Sequence, residues 1–240
     1  MDTQKIDAAR IRKITYAPSK QPLVDIIYQD EHLIISNKQA GLLSVPGREE
    51  AMKDCLESRL MHEYGEIYTV HRLDMETSGL MVYARSKDIQ RALSQLFMDR
   101  QVEKAYIADI YGTPSVFSGE IDLPLICDWP NRPKQKVDFE GGKPAQTTWT
   151  TLPVPHKNTD LDKSAPSAEI TRVLLEPRTG RSHQLRVHML ELGHPIVGDS
   201  LYAHDAAFYP YKRLHLHAHK LSFIHPHSGS LLTFNSDCPF

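Results

Sequence analysis

The sequence predicts an α+β fold. Two observations predict it: strand-like runs outnumber helical ones, and the two kinds do not alternate as a doubly wound sheet requires. At 240 residues, 40% of them hydrophobic and 24% charged, the chain has ordinary globular composition. It can bury a substantial core, as one large domain or two small ones.

The elements follow in order. Residues 1–22 read as a polar tail ending at Pro22, and 23–240 as the folded domain. Ile26-Ile27-Tyr28 and Leu33 to Ser36 are strand-like and flank Gln29-Asp30-Glu31-His32, which predicts a hairpin that Lys38 to Leu43 leaves. Met52, Leu56, Leu60 and Tyr64 recur every four residues and make one helical face, ended by Gly65. Ile67 to Val70 and Leu80 to Ala84 are apolar runs of strand type. Ser86 is placed to cap a helix, with Asp88 in its first turn and Ile89, Leu93, Leu96 and Phe97 as its apolar stripe. A strand over Ala105 to Tyr111 stops at Gly112-Thr113-Pro114. Ile121 to Ile126 is a further strand-like run, and the insert from Cys127 to Pro133, with two prolines, is expected to be irregular. Thr147 to Leu152 and Ile170 to Leu175 pair as strands. The Pro-, Ser- and charge-rich segment between them, Pro153 to Ser167, is expected to be mobile and dispensable. Ser182 is the expected cap of a helix ending at Gly193. Leu214 to Ile224 and Leu231 to Phe234 close the chain as strands.

Bulk properties exclude several classes. No apolar run approaches the roughly 18 residues a membrane span needs. Met1 to Lys20 lacks the apolar centre of a secretory signal, so a cytoplasmic protein without membrane association is expected. Cys55, Cys127 and Cys238 are far apart and odd in number, which argues against a disulfide framework or a cysteine zinc site. Lys plus Arg is 28 against 30 Asp plus Glu, a net charge of −2, so any nucleic-acid partner must be held by local basic clusters. His215, His217 and His219 alternate and share a strand face. The interleaved Leu214, Leu216, Ala218 and Leu221 mark an ordinary strand, and with no carboxylate at ligand spacing no metal is expected. Gly141-Gly142-Lys143 lacks Walker spacing and there is no G-x-G-x-x-G, so no nucleotide cofactor is expected.

Four signals carry chemistry. The first is His71-Arg72-Leu73-Asp74-Met75-Glu76-Thr77-Ser78-Gly79, which sets a carboxylate in a tight turn between two strand-like runs. From residue types alone, Asp74 is either a nucleophile or base on a rigid platform, or a cap for its own turn. The second is Thr179-Gly180-Arg181-Ser182-His183-Gln184-Leu185-Arg186-Val187-His188. As a helix it is apolar nearly all round and therefore buried, so Arg186 needs an acidic partner. Asp74 is one candidate; Glu176 and Asp199 are the structural alternatives. The third is Tyr106 in Lys104-Ala105-Tyr106, which by itself reads as half-buried strand packing. The fourth is the basic insert with Trp129, Arg132, Lys134 and Lys136 and no acid from Pro130 to Val137. It is a solvated loop or a platform for a phosphate backbone with exposed bases.

The first string resembles the HRLDxxTSG signature of the RluA family of pseudouridine synthases at every fixed position, and the second resembles that family's TGRxHQLRxH element. The run Ile126 to Val137 followed by Gly142 to Thr147 narrows the likeness to the RluA branch. It extends from about Ile26 to the C-terminus. Gln39 departs from the family, which usually has proline there.

The resemblance implies a mixed, mostly antiparallel sheet flanked by helices and loops, with a central active-site cleft and no room for an extra S4-type RNA-binding domain. It implies that Asp74 is the catalytic carboxylate. Arg186 and Leu185 then line the site, and Arg72 fills the stack vacated by an extruded uridine or braces the Asp74 loop. Tyr106 holds the uracil and accepts its C5 proton. The implied reaction is uridine to pseudouridine within RNA, by a monomer and without cofactor, on a hairpin loop of 23S rRNA and on the tRNA anticodon stem-loop. Asp74 can attack the ribose, abstract a ribose proton or add to the uracil ring; all three routes stay open. Two rival classes are a non-catalytic RNA-binding or folding factor on the same scaffold, and a histidine-based metal hydrolase.

Overall fold

A computed structural model describes residues 16–153 and 170–240. Most of the expected tail and of the 153–167 segment lies outside them. The strands are β1 (Ile26–Gln29), β2 (Leu33–Lys38), β3 (Tyr68–Thr69), β4 (Ser78–Ala84), β5 (Glu103–Tyr111), β6 (Ser118–Asp122), β7 (Leu125–Cys127), β8 (Gln135–Val137), β9 (Gln146–Leu152), β10 (Ile170–Pro177), β11 (Leu216–Ile224) and β12 (Leu231–Asn235). The helices are α1 (Leu56–Tyr64), α2 (Lys87–Met98), α3 (Gln184–Glu191) and α4 (Asp205–Phe208). The α+β class holds. The chain forms two units, and it passes from one to the other inside β5, between Tyr106 and Ile107.

The first of these units, Thr15–Tyr106 with Leu216–Pro239, is built on β4. This strand is buried along its whole length. It pairs antiparallel with β2 on one side; on the other it pairs antiparallel with β3 and parallel with β11, which carries β12. Side chains alternate across the pleat. Leu33, Ile35, Leu80, Val82, Leu221 and Phe223 form one core under Leu93 of α2. Ile34, Met81, Tyr83 and Ala218 form the other, under Leu56 and Leu60 of α1. Both faces are covered, which is why β2 and β4 read as unbroken apolar runs.

Ser86 caps α2 as expected, its Oγ accepting the Ile89 N–H at 3.3 Å. The helix expected from Met52 starts later. Cys55 and Ser58 form a reciprocal capping box at Leu56, and Met52 belongs to a separate 3-10 turn, Glu50–Lys53. Residues 16–23 are held against this unit: Arg59 pairs with Asp54 and donates to the carbonyls of Ser19 and Leu23. Gln39 contributes here too, donating to Ser19 O at 2.9 Å, a bond that proline lacks the donor to make.

The other unit, whose described residues include 107–153, 170–215 and Phe240, has β9 paired antiparallel with β10 and β6, and a separate β7–β8 hairpin. The run expected as one strand over Ile121 to Ile126 breaks into β6 and β7 around Pro124, which has no N–H for the ladder. The insert after it is more regular than its prolines suggest: Trp129–Asn131 is a 3-10 turn, with Pro130 near its start where the missing N–H costs nothing. Helix α3 begins one residue later than expected. Its cap is His183, in the left-handed region at φ 54°, and not Ser182.

Candidate active site

The Asp74 loop is fixed from three directions. Ser44 Oγ donates to Leu73 O at 2.7 Å and accepts the Leu73 N–H at 3.1 Å. Gly41 N–H donates to Met75 O at 2.9 Å, and Thr77 N–H returns to Asp74 O at 3.2 Å, closing the turn. Lys38 is fully buried, and its ammonium donates to the carbonyls of Gln39, Leu42 and Met75 at 3.0, 2.7 and 3.0 Å. A buried ammonium needs such acceptors, and these carbonyls in turn need a donor.

His71 shows how the chain leaves the sheet just before this loop. The β3–β4 ladder stops at Thr69 opposite Tyr83. The next free amide on β4, that of Val82, donates instead to His71 Nε2 at 3.1 Å, so the imidazole replaces a strand residue. Its ring stacks on Phe97, and burial together with the Lys104 ammonium pushes its pKa down to about 3, which keeps it a neutral acceptor. At the loop's far end Gly79 has φ +113° and its α-carbon faces the Ala218 backbone, so any side chain there would collide.

Tyr106, on β5, packs against the α1-side core that also holds Leu73. Burial, and secondly the Asp74 carboxylate, push its phenol pKa well above the ordinary value. Arg72 is exposed.

Arg186 sits in the other unit, on α3, and is 2% exposed. Its Nε and Nη2 bind the two oxygens of Asp199 at 2.7 and 2.6 Å, so one of the structural alternatives is realised. Asp199 also accepts the backbone N–H groups of Leu201 and Tyr202, and these bonds with the guanidinium hold its carboxyl below the usual range despite full burial. Leu185 is buried beside Arg186. The Thr-Gly-Arg and Gln of the motif have a structural meaning: Gln184 Oε1 accepts from Thr179 Oγ1 and Arg181 N, and its amide donates to Gln146 O and Thr147 Oγ1. They anchor the start of α3 to β9.

On the hairpin side, Trp129 is 66% exposed with the Arg132 guanidinium 4.6 Å from its ring centroid. Lys136 is exposed and lies 3.7 Å from Asp138; Lys134 is half-buried.

His215 and His217 are buried, and both bond within the protein: His215 Nδ1 to Asp109, His217 Nδ1 to Ser78 Oγ. His219 Nδ1 bonds to Ser236 O. Strand β11 starts only at Leu216, so His215 precedes it. Among the described residues, no group of three or more His, Cys, Asp or Glu is arranged to hold a metal ion. Sequence reading assigned no role to Lys38, His71 or Tyr202, whose partners are backbone groups or distant side chains.

A family model described as RNA pseudouridylate synthase matches residues 32–191, well over half of the chain. The chain belongs to the RNA pseudouridylate synthase family. The dual-specificity RNA pseudouridine synthase RluA of Salmonella typhi is 49% identical over 225 residues, covering 94% of this chain and 98% of that protein. Its namesake in Escherichia coli K12 is 48% identical with the same coverage, and that of Vibrio vulnificus 49% identical over 95% of this chain and 88% of the relative. Among solved structures, human RNA pseudouridylate synthase domain containing 1 superposes with a TM-score of 0.75 at 26% identity, covering 93% of this chain and 87% of that one. Domain containing 4 gives 0.65 at 27% identity, with coverage of 90% and 88%. As an RNA pseudouridylate synthase the chain is an isomerase of RNA uridine. Among the described residues no helix is long and apolar enough to cross a membrane.

Proposed function

We propose that this pseudouridylate synthase acts on uridines in structured loops of two RNAs, a 23S rRNA hairpin and the tRNA anticodon stem-loop, with Asp74 as the catalytic carboxylate. The near-half identity to dual-specificity relatives over almost the full chain supports the substrate pair. One observation carries the assignment of Asp74: its carboxylate stands in a loop pinned by Ser44, Gly41 and Lys38, close enough to Tyr106 to raise the phenol's pKa.

The reaction breaks N1–C1′, turns the uracil and joins C5 to C1′. The C5 proton leaves and N1 gains one, so atoms and charge balance without an oxidant or an external energy source. One carboxylate suffices because the leaving base is retained and no water need be activated, in contrast to the paired carboxylates of glycoside hydrolysis. A pinned loop presents that carboxylate in a fixed attack geometry. Tyr106 enters as a neutral phenol: its ring is the platform for uracil and its hydroxyl relays the C5 proton. Arg186, locked by Asp199, supplies fixed positive charge as a positioning group.

The exposed Arg72 fills the stack left by the extruded uridine, Leu185 lines the base pocket, and Trp129, Arg132, Lys134 and Lys136 carry the RNA backbone and its unpaired bases. The protein works as a cytoplasmic monomer, with 23–240 as its catalytic domain.

Tritium release from RNA labelled at uridine C5 tests this. Release from both the rRNA hairpin and the anticodon stem-loop is expected, at one uridine each. Binding without release would make the protein an RNA-binding factor, and release from one RNA only would end the dual-substrate reading.

A further inference from the structure

We propose that Tyr202 is a positioning residue that ties Arg186 to the basic β7–β8 hairpin, so that RNA seated on the hairpin is registered against the arginine. This rests on the assignment of Arg186 and the hairpin given above.

Contacts from three directions meet on Tyr202. Its backbone N–H donates to Asp199 Oδ1 at 3.1 Å, the oxygen that also accepts Arg186 Nη2 at 2.6 Å. Its ring lies 5.3 Å from the Arg186 guanidinium carbon. Its hydroxyl accepts the backbone N–H of Gln135, the first residue of β8, at 2.7 Å. The same oxygen stands 2.7 Å from His183 Nδ1. The phenol oxygen thus holds the Gln135 amide and the His183 imidazole at once, the His183 tautomer setting which of the two donates in the second bond.

His183 makes this bond consequential. It occupies the left-handed region at φ 54°, unfavourable for a side chain other than glycine, and no side chain caps the helix it opens. The Tyr202 hydroxyl anchors that strained residue three positions before Arg186. The ring packs with Leu125 of β7, Val187 of α3 and Ala145, with Val137 of β8 against the cluster. Hairpin and arginine helix therefore share one buried phenol. Tyr202 is 6% exposed, so it acts through Arg186 and the hairpin and not by touching RNA.

The test uses Tyr202→Phe in the full chain, which keeps the ring and removes the hydroxyl. With an RNA stem-loop that the wild type modifies, kcat is expected to fall about tenfold with KM within about twofold. Exchange of the Gln135 amide should quicken. Adding His183→Gly, which accepts the left-handed backbone without an anchor, should restore part of the lost kcat while Gln135 exchange stays fast, because the hairpin tie is still missing. A wild-type kcat in Tyr202→Phe would overturn the proposal. So would a loss that tracks the folded fraction and is not rescued by His183→Gly. Arg186→Met separates the two levels: a wild-type rate there removes the arginine assignment itself, whereas a slow Arg186→Met beside a normal Tyr202→Phe removes only the role of Tyr202.

Discussion

Burial and the Asp74 carboxylate together hold the proton on Tyr106. The phenol ionises only above its ordinary pKa of about 10, so the residue is a neutral hydroxyl throughout the working range. Two groups whose electrostatics are coupled in this way suit a reaction in which one makes or receives charge and the other passes a proton.

Tyr106→Phe retains the ring and loses that hydroxyl. RNA affinity should stay near wild type while single-turnover conversion slows about 10²-fold at or after glycosidic cleavage. The wild-type rate should show no rise between about pH 8 and 9.5 that depends on Tyr106. Unchanged single-turnover kinetics in the variant would remove its part in proton transfer.

Lys38→Met deprives the carbonyls of Gln39, Leu42 and Met75 of a buried donor. Met75 O keeps the Gly41 N–H, but leaving the Gln39 and Leu42 acceptors unsatisfied costs about 1–3 kcal/mol each, moderated by relaxation, so a loss of about 2 kcal/mol is expected in urea unfolding. Because Met75 follows Asp74, kcat should fall at temperatures where the variant is still folded. A stability within about 0.5 kcal/mol of wild type would show that the ammonium does not hold the loop.

Asp199→Ala leaves the Arg186 guanidinium buried without the carboxylate that binds its Nε and Nη2. Removing one partner of such a pair costs about 3–5 kcal/mol. Asp199→Asn, which keeps shape and part of the hydrogen bonding, should lose less. Equal losses in the two variants, read from denaturant midpoints, would contradict an electrostatic role.

His71 links the Asp74 loop to pH. Its folded pKa, about 3, lies below the ordinary 6.5. Between these values the unfolded chain binds a proton that the folded chain does not, so the stabilisation is complete above about pH 6.5 and declines as pH falls toward 3. His71→Gln, with a neutral acceptor for Val82, should flatten the dependence of the urea midpoint over that window. An unchanged slope would mean that His71 does not titrate there.

Legibility in the sequence followed the range of the contacts. The Ser86 cap and the buried runs of β2 and β4 were readable because the information lies within a few neighbouring residues. The start of α1 was misplaced because Cys55, a poor cap by type, works only as a pair with Ser58. The split between β6 and β7 follows from Pro124, which the apolar run concealed. Arg186 was recognisable as a buried cation, but the choice of Asp199 depends on how the chain folds back after Gly193. Lys38 and Tyr202 left no readable signal, since one is held by backbone carbonyls and the other bonds a residue 67 positions away.

The most direct measurement of the central claim is tritium release by Asp74→Asn on a stem-loop that the wild type modifies, with RNA binding followed on the same sample. Asparagine keeps the size of the side chain in the pinned loop and removes its charge. The account predicts release at background level with RNA affinity retained; conversion at the wild-type rate would contradict it.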